Sequence, residues 1–152
     1  MIILKSTRTE NKLAFIIGLG LVGTAIKENL EKIGFSKIVE GRSDWNNIQK
    51  MTQEINRLLK LTLVENVEKV ELVWSACKSG FNASEKEAFY ELNTYKRVLD
   101  HIIELVTLTY NINLEIHLVS SAGGLYEGNK NVDSWQNPNP KRPYGELKLN
   151  QE

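Results

Sequence analysis

The sequence predicts an α/β domain built on a doubly wound parallel sheet, and two observations indicate it. Short apolar runs, the first over 13–17, alternate with longer runs in which apolar residues recur at helical spacing. A glycine-rich turn, Gly18-x-Gly20-x-x-Gly23, stands between the first apolar run and the first helical one. Alternation of this kind builds a parallel sheet with right-handed crossovers. The chain has 152 residues, which is the length of a single domain. We therefore expect residues 1–152 to form one domain, with no separate substrate domain visible.

Each element follows from its own local pattern. Apolar runs predict strands over 13–17, 38–39, 70–74 and 111–119, and helical spacing predicts helices over 21–34, 45–63 and 84–109. Ser84-x-x-Glu87 matches a capping box at the start of the third helix. Residues 1–12 are expected to be a loosely held lead. A full doubly wound fold has about six strands, and the sequence predicts fewer. We therefore expect the fold to be truncated after the start of a last helix at Pro143.

Composition excludes several classes of protein. Lys plus Arg and Asp plus Glu are 19 each, so nothing indicates a nucleic-acid or membrane partner. The single cysteine, Cys77, fits a reducing compartment, and no His/Cys cluster has metal-ligand spacing. No stretch approaches the ~20 apolar residues that span a bilayer. We therefore predict a soluble cytoplasmic protein without a metal.

The glycine turn has the spacing and context that a dinucleotide phosphate requires. In a Rossmann-like fold, the first glycine permits a tight turn, the second lets the backbone approach the pyrophosphate, and the third lets helix and strand pack closely. The helix that follows offers unpaired N–H groups and the positive end of its dipole. The predicted phosphate-binding residues are Gly18, Leu19, Gly20, Leu21, Val22 and Gly23. The alternative is a glycine-rich turn that binds nothing.

The residues after the second strand bear on the choice between NAD and NADP. An acidic residue there holds the ribose 2′-hydroxyl of NAD, and an arginine accommodates the 2′-phosphate of NADP. Arg42 and Ser43 therefore favour NADP, although Glu40 is close enough to make this only a preference. The alternative is that Arg42 is a solvated turn residue.

Tyr144 and Lys148 are four residues apart, so on a helix their side chains can converge. A nearby ammonium lowers the pKa of a tyrosine, and the pair can then act as a general acid/base toward a carbinol or ketone. Ser121, at the end of the preceding strand, could hydrogen-bond the same substrate oxygen. The alternative is an exposed Tyr/Lys pair without a catalytic role.

The order of these motifs resembles that of the short-chain dehydrogenase/reductase superfamily, most closely its extended branch of nucleotide-sugar epimerases and dehydratases. The stretches that carry the resemblance are Gly18-x-Gly20-x-x-Gly23, Ser75-Ala-Cys77, Asn93, Ser120-Ser-Ala-Gly-Gly-Leu-Tyr126 and Arg142-Pro-Tyr144-Gly-Glu-Leu-Lys148. The strand that in this family supplies an aspartate near the adenine is not recognisable between residues 61 and 69.

The resemblance implies a role for each matching residue. Tyr144 would be the catalytic acid/base, Lys148 would bind the nicotinamide ribose and lower the tyrosine pKa, and Ser121 would orient the substrate hydroxyl, with Ser120 as the alternative. Cofactor contacts would also come from Ser75, Ala76 and Cys77, and Asn93 would support the active-site helix.

The resulting expectation is the N-terminal, NAD- or NADP-binding part of a nucleotide-sugar epimerase or dehydratase of the kind used in polysaccharide biosynthesis. Its substrate would be a nucleotide sugar or another small carbonyl or hydroxyl compound. One alternative is a non-catalytic NAD(P)-binding or scaffold module, and another is a simple reductase of small carbonyls. An uncovered sheet edge predicts self-association or a further C-terminal part.

Overall fold

The computed structural model describes residues 1–8, 11–42, 44–63, 66–133 and 135–152. The strands are β1 (Ile2–Ser6), β2 (Lys12–Ile17), β3 (Phe35–Glu40), β4 (Lys69–Trp74) and β5 (Asn113–Leu118). The helices are α1 (Leu21–Lys32), α2 (Ile48–Thr62), α3 (Glu85–Ile103), α4 (Ala122–Leu125) and α5 (Pro143–Gln151). A π-helical segment, Glu104–Thr109, continues α3. The chain is an α/β protein, as predicted.

The five strands form one mixed sheet in the order β3-β1-β2-β4-β5. The pairs β2–β4 and β4–β5 are parallel, whereas β1 is antiparallel to both of its neighbours, β2 and β3. The prediction of a wholly parallel sheet is therefore wrong at β1. The short connection from Ser6 to Lys12 explains the difference, because neighbouring parallel strands need a crossover of a dozen or more residues.

The prediction that residues 1–12 form a loosely held lead is wrong for Ile2–Ser6. Ile2, Ile3 and Leu4 are each at most 1% exposed, because β1 lies inside the sheet with a strand on either side. A short run of consecutive apolar residues is typical of a strand that is buried on both faces.

The chain divides into two compact units where the sequence predicts one domain. The first unit comprises Met1–Ala76 and Arg97–Val119, and the second comprises Cys77–Lys96 and Ser120–Glu152.

Alternate residues of the strands give the first unit its core. On one face of the sheet, strand residues including Leu4, Ile16 and Val73 form a cluster against which Ile26 and Leu30 of α1 pack. The alternating positions are also buried: Ile3, Phe15 and Leu72 are each 0% exposed. The predicted apolar stripe of the second helix lies in the core as well, with Met51, Ile55, Leu58 and Leu59 fully buried.

The second unit contains the beginning of α3 together with α4 and α5. The predicted capping box is confirmed, because the Ser84 backbone N–H donates to Glu87 Oε2 at 2.8 Å and the Glu87 N–H donates to Ser84 Oγ at 3.3 Å. Tyr95 of α3 donates its hydroxyl hydrogen to the carbonyl oxygen of Gln151 in α5 at 3.1 Å. Burial raises the pKa of Tyr95, so this hydroxyl remains a donor at neutral pH.

A search of the described helices finds none with the length and apolar character needed to cross a membrane.

Candidate functional site

The glycine turn lies at the carboxyl end of β2, where the fold brings it beside the segment that follows β4. Ile17 is the register partner of Trp74, so the two parallel strands end at the same edge of the sheet. The Ser75 N–H donates to the Ile17 carbonyl oxygen at 2.9 Å, and Ser75 Oγ donates to the Gly18 carbonyl oxygen at 2.6 Å. Two of the predicted cofactor-binding stretches, the glycine turn and Ser75–Ala76, therefore meet in the first unit.

This edge between β2 and β4 is the point at which the strand order reverses. After β2 the chain crosses through α1 to β3 on one side, and after β4 it crosses through α3 to β5 on the other. In open α/β sheets, ligands bind outside the carboxyl ends of the strands at such a reversal. The inserted strand β1 leaves this feature intact.

The structure makes different demands on the three glycines of the turn. Gly18 has φ of +98°, and a Cβ there would also overlap the backbone of Ala76. A Cβ on Gly23 would overlap the carbonyl oxygen of Gly18 and lie 2.5 Å from Ser75 Oγ. Gly20 differs from both, because its φ is −79° and a Cβ there would have no non-adjacent atom of the described residues within 4 Å. Neither the backbone nor the packing of this chain demands a glycine at position 20.

Gly20 is also the N-cap of α1 and offers no side chain to its first turn. The first N–H groups of a helix have no partner within the helix. Leu21 and Val22, the first two residues of α1, are 91% and 47% exposed. The turn therefore presents backbone donors, and the positive end of the α1 dipole, to open space.

Arg42 lies at the end of β3, farther from the glycine turn than the sequence suggests. β1 separates β3 from β2, so the two strands are about 9–10 Å apart and not the ~4.8 Å of neighbours. The Gly41 N–H donates to the Met1 carbonyl oxygen at 2.9 Å, which places the start of β1 between Arg42 and the turn. Arg42 is exposed, and Ser43 lies outside the described residues. The role of Arg42 toward a 2′-phosphate stays a prediction.

In the second unit, Tyr144 and Lys148 lie one turn apart on α5, as their spacing predicts. Pro143 occupies the first turn of α5, which fixes where the helix begins. The half-buried Tyr144 ring packs against Phe81, with 4.9 Å between the ring centroids. A Cβ on Gly124 would lie 3.1 Å from Tyr144 Cε1, so this glycine admits the tyrosine ring beside α4.

Lys148 is a buried cation at 3% exposure. Its Nζ donates to Gln151 Oε1 at 3.2 Å, which fixes the orientation of that amide. Gln151 Nε2 is also buried, and it has no hydrogen-bond partner within the described ranges.

Ser121 has a structural role that the sequence analysis missed. It is the N-cap of α4, and its Oγ accepts a hydrogen bond from the Gly124 N–H at 3.2 Å. Accepting this bond does not use the hydroxyl hydrogen, which can be donated elsewhere. Ser120, the alternative by one position, donates its hydroxyl hydrogen to the Glu152 carboxylate.

Cys77 and Asn93, the remaining predicted cofactor residues, also lie in the second unit. Asn93 is half-buried on α3. Cys77 as a whole residue is exposed, yet burial of its sulphur raises the pKa of the thiol to about 12. Lys148 acts to lower that pKa and Glu91 to raise it, so both charges are close enough to the thiol to affect it. Cys77 is therefore protonated at neutral pH, which makes it a slowly reacting thiol.

Glu91 is a residue of the second unit that the sequence analysis did not identify. Its side chain is only 5% exposed, and its carboxylate accepts hydrogen bonds from the N–H groups of Lys78 and Ser79. The sequence signal that could have identified Glu91 as buried is its helical spacing. It lies three or four residues from other members of a stripe that is buried in the structure: Ala88, Glu91, Tyr95 and Val98.

Three potential metal ligands meet on the first unit's sheet face. Ligand atoms of Glu71, Glu115 and His117 lie within 4.8 Å of one another. Lysines already neutralise both carboxylates, with Lys12 Nζ 2.5 Å from Glu71 Oε1 and Lys69 Nζ 2.5 Å from Glu115 Oε2. A hydrogen bond from Lys69 lowers the pKa of Glu115, which shows that the ion pair stabilises the charged carboxylate. A metal ion would have to displace these ammonium groups.

The chain matches no protein-family model, no curated protein and no solved structure.

Proposed function

We propose that the chain is the N-terminal, NAD(P)-binding part of an extended short-chain dehydrogenase/reductase, of the nucleotide-sugar epimerase or dehydratase type. The proposed fold is a Rossmann-like doubly wound sheet to which β1 has been added as an antiparallel strand. The observation that carries the proposal is Gly20, a glycine that the chain's own structure does not require.

Gly20 fits a dinucleotide because the space beside it lies next to backbone donors at the β2–β4 edge. A pyrophosphate in that space would approach the backbone closely and accept hydrogen bonds from the first N–H groups of α1. Any side chain at position 20 would occupy part of the same space. The residues that would hold the pyrophosphate are Gly18 through Gly23, with Ser75 and Ala76 bordering it.

The cofactor is NAD or NADP, and Arg42 supports NADP. Its long side chain would have to reach past the first residues of β1. The preference for NADPH over NADH is therefore expected to be weaker than it would be with β3 directly beside β2.

The proposed chemistry assigns proton transfer to the second unit. Tyr144 removes a hydroxyl proton from the substrate, Lys148 holds the nicotinamide ribose, and Ser121 donates its hydroxyl hydrogen to the reacting oxygen. When bound, the oxidised nicotinamide would supply the acceptor for the hydride that the substrate carbon loses. The keto-sugar so formed is reduced or dehydrated, and the proposed substrate class is a nucleotide sugar or another small hydroxyl or carbonyl compound.

A non-catalytic NAD(P)-binding or scaffold module is the second candidate, and two contacts favour it. Ser121 caps α4, and Lys148 bonds Gln151, so each has a structural reason to be present. The hydroxyl of Tyr144 separates the candidates, because packing against Phe81 and Gly124 needs only the ring.

Tyr144→Phe is expected to abolish turnover and to leave the dissociation constant for NADPH within about twofold of the wild-type value. The ring contacts are retained, while the acid/base that contributes about 10²–10⁴-fold is lost. The measurement is the formation of reduced nicotinamide by enzyme loaded with oxidised cofactor, mixed with a panel of nucleotide sugars. Tyr90→Phe, which removes an exposed hydroxyl of the same unit, is the control. Turnover by Tyr144→Phe at the wild-type rate would exclude the proposed role.

A further inference from the structure

The segment that follows β4 is held at two places along the chain. At its start, Ser75 is bonded to the carbonyl oxygens of Ile17 and Gly18, and Trp74 Nε1 donates to the Ala76 carbonyl oxygen at 3.1 Å. Two residues further on, within the second unit, the backbone is bonded to a buried carboxylate. Cys77 is the residue between the two.

The Glu91 carboxylate makes three close contacts to this backbone. The Lys78 N–H lies 3.0 Å from Oε1 and 3.1 Å from Oε2, and the Ser79 N–H lies 2.6 Å from Oε2. Hydrogen bonds to an ionised acceptor are stronger than neutral ones, and a buried carboxylate is costly without them. A carboxylate at 5% exposure therefore restrains the conformation of residues 78 and 79 strongly.

We propose that Glu91 is a positioning residue for cofactor binding, which fixes the Lys78–Ser79 backbone and thereby the position of Cys77 within the second unit. This inference rests on the proposed function, since Cys77 is a predicted cofactor residue that directly follows Ser75 and Ala76, which are proposed to border the cofactor. Glu91 acts through the backbone and does not itself contact the cofactor.

Glu91→Gln tests the proposal with two readouts. A glutamine has nearly the same shape, but its amide nitrogen faces an N–H donor and it carries no charge. We expect the dissociation constant for NADPH to rise at least fivefold. We also expect alkylation of Cys77 by iodoacetamide to become at least threefold faster, because the segment loosens and the negative charge that raises the thiol pKa is removed.

Glu87→Gln is the matched control, since Glu87 lies one turn away on α3 and its side-chain hydrogen bonds among the described residues are to Ser84 at the exposed start of the helix. Whatever its effect on the melting temperature, Glu87→Gln should change neither the dissociation constant for NADPH nor the alkylation rate of Cys77. Alkylation of Glu91→Gln at the wild-type rate would overturn the proposal, as would faster alkylation with an unchanged dissociation constant.

Two measurements on the wild-type chain separate failure of this inference from failure of the proposed function. Amide hydrogen exchange at Lys78 and Ser79 is expected to be at least tenfold slower than at the exposed loop residue Gly80, and equal rates would overturn the role of Glu91. Absence of NADPH binding to the wild-type chain would overturn the proposed function and with it the cofactor role of Glu91. In that case, slow exchange at these amides would still assign Glu91 to the segment's conformation.

Discussion

Gly20→Asp is expected to raise the dissociation constant for NADPH at least about 100-fold while leaving the fold as stable as before, or more stable. The space around Gly20 accepts a side chain, and its φ of −79° is open to any residue. Aspartate is a preferred N-cap, worth about 1 kcal/mol, and its charge suits the start of a helix. The same carboxylate would fill the pyrophosphate space and repel the phosphates. Isothermal titration calorimetry and thermal unfolding measure the two effects.

Asn29→Asp is the control for charge, because it adds a carboxylate near the other end of α1 and far from the turn. It should leave the dissociation constant unchanged and should not stabilise the helix. If Gly20→Asp binds NADPH as tightly as the wild-type chain, then the open space beside Gly20 does not receive the cofactor.

Gly23→Ala is expected to destabilise the fold by at least about 2 kcal/mol, although alanine is the better helix former by about 1 kcal/mol. The new Cβ would overlap the Gly18 carbonyl oxygen and crowd Ser75 Oγ, whose hydrogen bond to Gly18 joins the two strand ends. Relief would require α1 to move away from β2. Urea unfolding measures the loss of stability.

Gly80→Ala is the matched control for this glycine, because a Cβ at position 80 would have open space around it. It should leave the free energy of unfolding unchanged or slightly increased. A Gly23→Ala chain as stable as the wild-type protein would show that helix and strand do not depend on the third glycine for their close approach.

The parts of the fold that depend on local pattern could be predicted from the sequence. The run before Gly18 became β2, the run ending at Trp74 became β4, and Ser84 with Glu87 formed the capping box. β1 could not be predicted in the same way. Its four-residue apolar run is short, and its place between β2 and β3 depends not only on the adjacent β2 but also on pairing with β3, which lies far along the chain.

The candidate site shows the same division. The demands for glycine at Gly18 and Gly23 follow from a positive φ and from a close backbone approach, both of which the spacing of the motif predicts. Glu91 was missed because glutamates on helices usually face water, and only the burial of its helical face shows otherwise. The distance of Arg42 from the turn was missed because it follows from the insertion of β1.

Calorimetric titration of the wild-type chain with NADPH, and separately with NADH, tests the proposed dinucleotide site most directly. A turn that leaves space at Gly20 and offers the N–H groups of α1 is expected to bind one equivalent of NADPH with micromolar affinity, and NADH more weakly. Tighter binding of NADPH would support Arg42 as the 2′-phosphate ligand, whereas equal affinities would remove that role and keep the site. Absence of binding by both nucleotides would contradict the assignment of this turn to a dinucleotide.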